Sequence, residues 1–105
     1  MGVRGKMAAV DNEVLVRLRG LDAIEALVAL AEHVKVDRSY EPTKSTSTQR
    51  VHVTAGGAEW ELLLTGPKFY DTRSEVGGGG AIDLVMHIWR VPFKAAVAML
   101  RRVPL

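Results

Sequence analysis

A few carboxylates, one histidine and a run of glycines are the residues here whose types and spacing invite a chemical reading. Asp83 and His87 lie four residues apart. On a helix they share a face and could serve as a general acid–base dyad. The plainer account puts Asp83 in a first helical turn, where negative charge is favourable, and His87 on the wet face of the same helix. Asp71 and Glu75 flank Gly77-Gly78-Gly79-Gly80 and could hold a metal; an enzyme would need Asp71, Asp83 and His87 to converge in one cleft. Metal binding by His33, His52 and His87 has less support, because no two share ligand spacing along one element. The glycine run tolerates close backbone approach, and unpaired N–H groups at the helix start after it favour an anion.

Several familiar chemistries are excluded. A Walker-type loop needs Lys and Ser or Thr directly after its glycines, whereas Ala81-Ile82 follow here. A dinucleotide fingerprint needs a parallel βαβ unit, and the strands of this chain read as hairpins. There is no GxSxG elbow, and a chain without cysteine has no thiol nucleophile, no disulfide and no cysteine-ligated zinc.

Binding to a nucleic acid has broader support. Lys68, Arg73, Arg90, Lys94, Arg101 and Arg102 fall near the glycine run or on the two helices after it. Tyr70 alternates with Phe69, so one of the two faces away from the core. An aromatic beside basic residues on a sheet is a stacking platform for unpaired bases. Arg38 to Gln49 reads as a mobile Ser/Thr-rich loop; Arg38 and Lys44 in it, with Arg50 just beyond, could track phosphates or simply be solvated. The other account has Tyr70 capping the core edge and the arginines solubilising the surface. Residue types leave both open.

The elements that must position these residues are legible as periodicity. Asp11 to Arg19 reads as a first helix with Val14, Leu15 and Leu18 inside, ended by Gly20. A second helix starts at Asp22 with Glu25 in capping-box position, and Ile24, Leu27, Val28 and Ala31 form its buried face. His33 near its end complements the helix dipole. Val34 to Asp37 alternates and is compatible with a short strand. From Arg50 the period is two: Val51 and Val53 point one way, Arg50, His52 and Thr54 the other. Ala55-Gly56-Gly57 turns the chain into a strand from Ala58 to Thr65, and Gly66-Pro67 turns it again into a strand from Lys68 to Thr72. The expected fold class is α+β, a three-stranded antiparallel sheet packed with N-terminal and C-terminal helices. After the glycines comes a helix that is apolar on most sides. Val91-Pro92 ends it, and a last helix, Phe93 to Arg102, buries Phe93, Ala96, Val97 and Leu100.

The chain has 105 residues, which fits one domain over residues 11–105 behind a flexible N-terminal tail at 1–10. A net charge of +2 and a pI near 9.2 permit nucleic-acid binding without requiring it. No segment has the apolar run of a signal peptide or a membrane span, so a cytoplasmic location is the default expectation.

The stretch AIDLVMHIWRVPFKAAVAMLRR, behind glycines and a small antiparallel sheet, resembles the zinc-binding domain at the N-terminus of bacterial replicative primases. The resemblance covers roughly Leu21 to Arg102 and is most specific from Gly78 to Leu100. It implies a zinc-ribbon-like sheet in a zinc-free form similar to modules of plasmid and mobile-element replication proteins. The family's cysteine pair would fall on Thr72 and Glu75, and its other pair near Thr43 to Arg50, where no cysteine stands. No metal or other cofactor is then expected, and Phe69, Leu62, Trp60 and Trp89 would replace the metal as core. The resemblance further implies a non-catalytic module that binds single-stranded DNA and positions template for a partner primase, polymerase or relaxase, with no membrane involved. By position, Lys68, Tyr70 and Arg73 would contact DNA, helped by Arg50, Lys44, Arg90 and Lys94. The alternative is a protein–protein interaction subunit of a replication or conjugation complex that has lost DNA binding, marked by an exposed patch of Trp60, Trp89 and Phe93.

Overall fold

Tight turns convert the alternating stretches into a sheet. Gly56 and Gly57 both take positive φ, 60° and 78°, the conformation a two-residue hairpin requires. They join β2 (Gln49–Ala55) to β3 (Ala58–Thr65). Gly66, at φ 57°, reverses the chain again into β4 (Lys68–Asp71). These three strands match the expectation. Two more extend the sheet. The computed structural model describes residues 12–42 and 46–103, and within them β1 (His33–Val36) pairs with β2 and β5 (Val76–Gly78) pairs with β4, all antiparallel in the order β1-β2-β3-β4-β5. The sheet therefore has five strands rather than three. The difference has two sources. The short alternating run Val34 to Val36 finds β2 through a long connection, and half of the glycine run is itself extended and hydrogen-bonded. The tail expected at residues 1–10, Asp11 and Lys44 lie outside the described residues.

Four helices lie among the described residues: α1 (Asn12–Arg19), α2 (Ala23–Leu30), α3 (Ala81–Trp89) and α4 (Phe93–Arg101). Val51, Val53, Ala55, Leu62, Leu64 and Phe69 line the inner face of the sheet and pack with Ala23 and Leu27 of α2 and with Leu84 and Ile88 of α3. The other side of α3, through Ala81, Ile82 and Val85, packs with Leu18 of α1 and with Ala96, Val97 and Leu100 of α4. A helix held between the sheet and two further helices has two dry sides, which is why α3 is apolar nearly all round. None of the helices described is long and apolar enough to cross a membrane.

Three expectations about α2 are corrected. Its buried residues are Ala23, Ala26 and Leu27, while Val28 is 65% exposed. Asp22 is the N-cap without a side-chain cap hydrogen bond, so no capping box forms. His33 opens β1 instead of closing the helix, because α2 ends at Leu30.

The glycine run is tightest at one position. A Cβ on Gly78 would stand 2.5 Å from Phe69 Cε1 and 2.9 Å from Asp83 Cβ, whereas one on Gly79 would meet nothing within 4 Å. Phe69 is buried and cannot swing away. Gly78→Ala is expected to cost about 1–3 kcal/mol of stability by overpacking, and Gly79→Ala to lie close to neutral. Urea denaturation of both variants checks this, and equal midpoints would refute the packing account.

Candidate nucleic-acid interface

Alternation along β4 decides which aromatic is available. Phe69 points inward, paired in register with Leu64 and Gly78, and is buried. Tyr70 points outward between Leu63 of β3 and Gly77 of β5, and is 42% exposed. Its ring leans towards Gly77: Cδ1 lies 3.2 Å from where a Gly77 Cβ would be. A side chain there would crowd the ring, so glycine keeps the space beside Tyr70 open. Lys68 projects from the same face of β4, in register with Thr65, and Arg73 is exposed just beyond the strand end. Neither makes a salt bridge among the described residues. The described helices pack on the opposite face, so among the described residues only the segment after β1 lies over this outer face, at its Arg50 end.

Arg50 shares the face, in register with Leu63 and so one strand beyond it from Tyr70. It is not a free cation. Arg50 donates through Nε to Asp37 Oδ2 at 2.9 Å and through a terminal nitrogen to the same oxygen, and Glu61 Oε2 lies 3.8 Å away. The Ser39 hydroxyl and the Arg50 guanidinium hold the Asp37 carboxyl well below the usual range. The hydrogen bond to Asp37 in turn raises Arg50. The Arg50 guanidinium also sits 5.4 Å from the centre of the Tyr40 ring. Arg50 therefore stands on this face as a paired cation, unlike Lys68 and Arg73.

Arg90 and Lys94 are also separated from Tyr70. Arg90 caps α3 in a left-handed conformation and Lys94 lies in the first turn of α4, both in the helical layers behind the sheet. No family model, curated protein or solved structure matches this chain. The site rests on its own geometry.

Behind Tyr70 lies the group that sets the geometry. Asp71 is 3% exposed and points inward. Its Oδ1 accepts the backbone N–H groups of Arg73 (3.0 Å) and Ser74 (3.3 Å), and its Oδ2 accepts Nε2–H of His87 at 2.7 Å. The His87 ring packs against Trp60 and Phe69 at centroid distances of 5.5 and 5.6 Å. His87 is therefore largely inside, not on a wet face, and its partner is Asp71 rather than Asp83. The Asp83–His87 dyad that the spacing allows does not form, and Asp83 is exposed in the first turn of α3, as the plainer account has it. Among the described residues no group of three or more His, Cys, Asp or Glu side chains converges as a metal site. Thr72 Oγ1 instead lies 3.2 Å from Glu61 Oε1, and Glu75 stands in the left-handed region at φ 59° with its N–H on Asp71 O.

Trp60 donates Nε1–H to Ala55 O at 3.0 Å, and Trp60, Trp89 and Phe93 are all half-buried against the two cores, so they form no exposed patch. Sequence reading missed Tyr40 and the role of Asp71. An Asp at a strand end followed by Thr-Arg-Ser is the pattern of a side chain that bonds its own turn. A lone tyrosine in a polar loop was the signal for Tyr40.

Burial raises the Asp71 carboxyl, but hydrogen bonds from His87, Ser74 and Arg73 outweigh it and leave the group below its usual value. The unfolded chain therefore takes up the proton first as acid is added. Asp71 contributes its full stability above about pH 4, the ordinary carboxylate value, and loses it as pH falls through the lower folded value. Asp71→Asn should be less stable than the native chain at neutral pH, with the gap closing in acid. Denaturation midpoints across pH measure this; a constant gap would refute it.

Proposed function

We propose that this chain is a non-catalytic module that binds single-stranded DNA through the outer face of its sheet, and that it positions template for a partner primase, polymerase or relaxase. The observation that carries the reading is Tyr70. A large aromatic stands exposed in the outer face, with glycine on one side and two cations without a salt bridge among the described residues, Lys68 and Arg73, near it. Every base has a π-face, so such a ring accepts unpaired bases of any sequence, while the cations meet phosphates. The resemblance of residues 78–100 to primase zinc-binding domains is the second support, and it is the basis for assigning the module to replication of a plasmid or mobile element.

An interaction subunit is the second reading. Val16 and Val28 favour it, being 71% and 65% exposed on α1 and α2, away from the Tyr70 face. The two readings separate by mutation. On the DNA reading, a labelled single strand binds at low salt, its affinity falls steeply as salt rises, and a blunt duplex binds less well. Tyr70→Ala with Arg73→Ala is expected to weaken binding at least tenfold, since stacking on one ring is worth about 1–3 kcal/mol. Val28→Asp should leave it unchanged. Fluorescence anisotropy titrations across salt provide the measurement. Absence of binding at low salt, or binding untouched by the double variant, would overturn the DNA reading.

A further inference from the structure

The platform reading leaves one feature of the outer face without a role: the cluster of Tyr40, Arg50, Asp37 and Ser39 at the β1–β2 end. Arg50 is a residue of β2, yet its side chain is held from three directions. Asp37 binds it from the turn after β1, Glu61 approaches from β3, and the Tyr40 ring lies over its guanidinium. Asp37 is fixed in turn by Ser39, through both the backbone N–H (2.9 Å) and the hydroxyl (2.6 Å). Tyr40 N–H donates to Asp37 O at 3.3 Å. The effect of these bonds is to carry the chain after β1 to the outer side of the sheet and to keep Tyr40 on Arg50.

Register puts this cluster in line with Tyr70. Arg50 faces Leu63, and Leu63 faces Tyr70. Leu63 is half-buried and gives the row an apolar middle. Two inter-strand spacings separate Arg50 from Tyr70, about 10 Å. That is roughly three times the ~3.4 Å rise per nucleotide of a stacked strand. Lys35 flanks the Arg50 side of the row, on β1 opposite His52, and has no salt bridge among the described residues. A shallow cleft of about 610 Å³ runs past Lys35, Arg38 and His52. Of the acidic groups near the row, Asp37 pairs with Arg50 and Glu61 lies 3.8 Å from it, while Glu59, opposite Thr54, is exposed on the same face.

We infer that the Tyr40–Arg50 pair is a second base-stacking subsite, two strands away from Tyr70, and that the ligand is a single strand laid across the strands with its phosphates towards Lys35 and Arg38. A planar guanidinium held against a ring offers a base the same π-stacking as a second aromatic, and the ion pairs keep it from reorganising on binding. This inference rests on the platform reading and names what that reading does not: a second contact, a direction across the sheet and a minimum ligand length of several nucleotides.

The test uses decathymidylate and decauridylate with the native chain, Tyr40→Ala, Tyr40→Phe and Tyr70→Ala. Tyr40→Ala should lower affinity roughly tenfold with the slope of affinity against salt unchanged, because stacking releases no counterions. Tyr40→Phe should restore it. Irradiation of the native chain with a bromodeoxyuridine-containing decamer should give adducts on Tyr40 as well as Tyr70. The decauridylate arm tells whether ribose is accepted at the same two contacts. If the native chain binds and Tyr70→Ala weakens it, while Tyr40→Ala binds as the native chain does and adducts stop at Tyr70, the second subsite falls and the platform stands. No binding by the native chain overturns both.

Discussion

Asp71 carries a charge in a place almost closed to water, and a carboxylate there persists only if donors replace its hydration. Those donors come from two directions. The amides of Arg73 and Ser74 reach it from the turn that follows, and His87 reaches it from α3. Satisfying one side chain therefore makes the chain turn sharply at the end of β4 and ties the middle helix to the sheet. The turn brings Val76 to Gly78 back alongside β4. There Gly78 must lack a side chain to lie between Phe69 and Asp83. A glycine run that looks like an open cradle is thus half strand and half linker, and an anion site at its end is not needed to explain it.

The same arrangement makes the sheet two-sided. Successive side chains of a strand point to opposite faces. Helices α2 and α3 cover the face carrying Val51, Val53, Leu62, Leu64 and Phe69. The face carrying Arg50, Leu63, Lys68 and Tyr70 has only the segment after β1 above it, at the Arg50 end. The ligand surface proposed for DNA uses this face, which carries Tyr70, Lys68, Lys35 and Arg50 together with Glu59 and Glu61. Asp37 and Glu61 both approach Arg50 and order the surface at that end.

Much of this was legible before any coordinates. Period-two alternation separated Phe69 from Tyr70 and Val51 from Arg50, and the paired glycines at 56–57 marked the hairpin. The helices after the glycine run followed from their apolar spacing and from Pro92. Each of these depends on residues close in sequence, where backbone preference and period suffice. On α2 only Val28 departs from the expected stripe: Leu27 is buried and Ile24 and Ala31 pack against the core, but the neighbours decide which side is deepest. They chose Ala23, Ala26 and Leu27.

What the sequence by itself determined, then, was the α+β class, the central hairpins and the alternation that turns one of Phe69 and Tyr70 outward beside cations. Tertiary structure alone decided the partners. His87 takes a carboxylate sixteen residues earlier rather than the one a helical turn away. Arg50 is paired with Asp37 across a loop, and Arg90 and Lys94 stand on the helical layers. Two further strands join at its edges. These outcomes depend on which layers stack and in what order, and that is settled by burial of the whole apolar surface at once, a sum to which no local stretch of sequence has access.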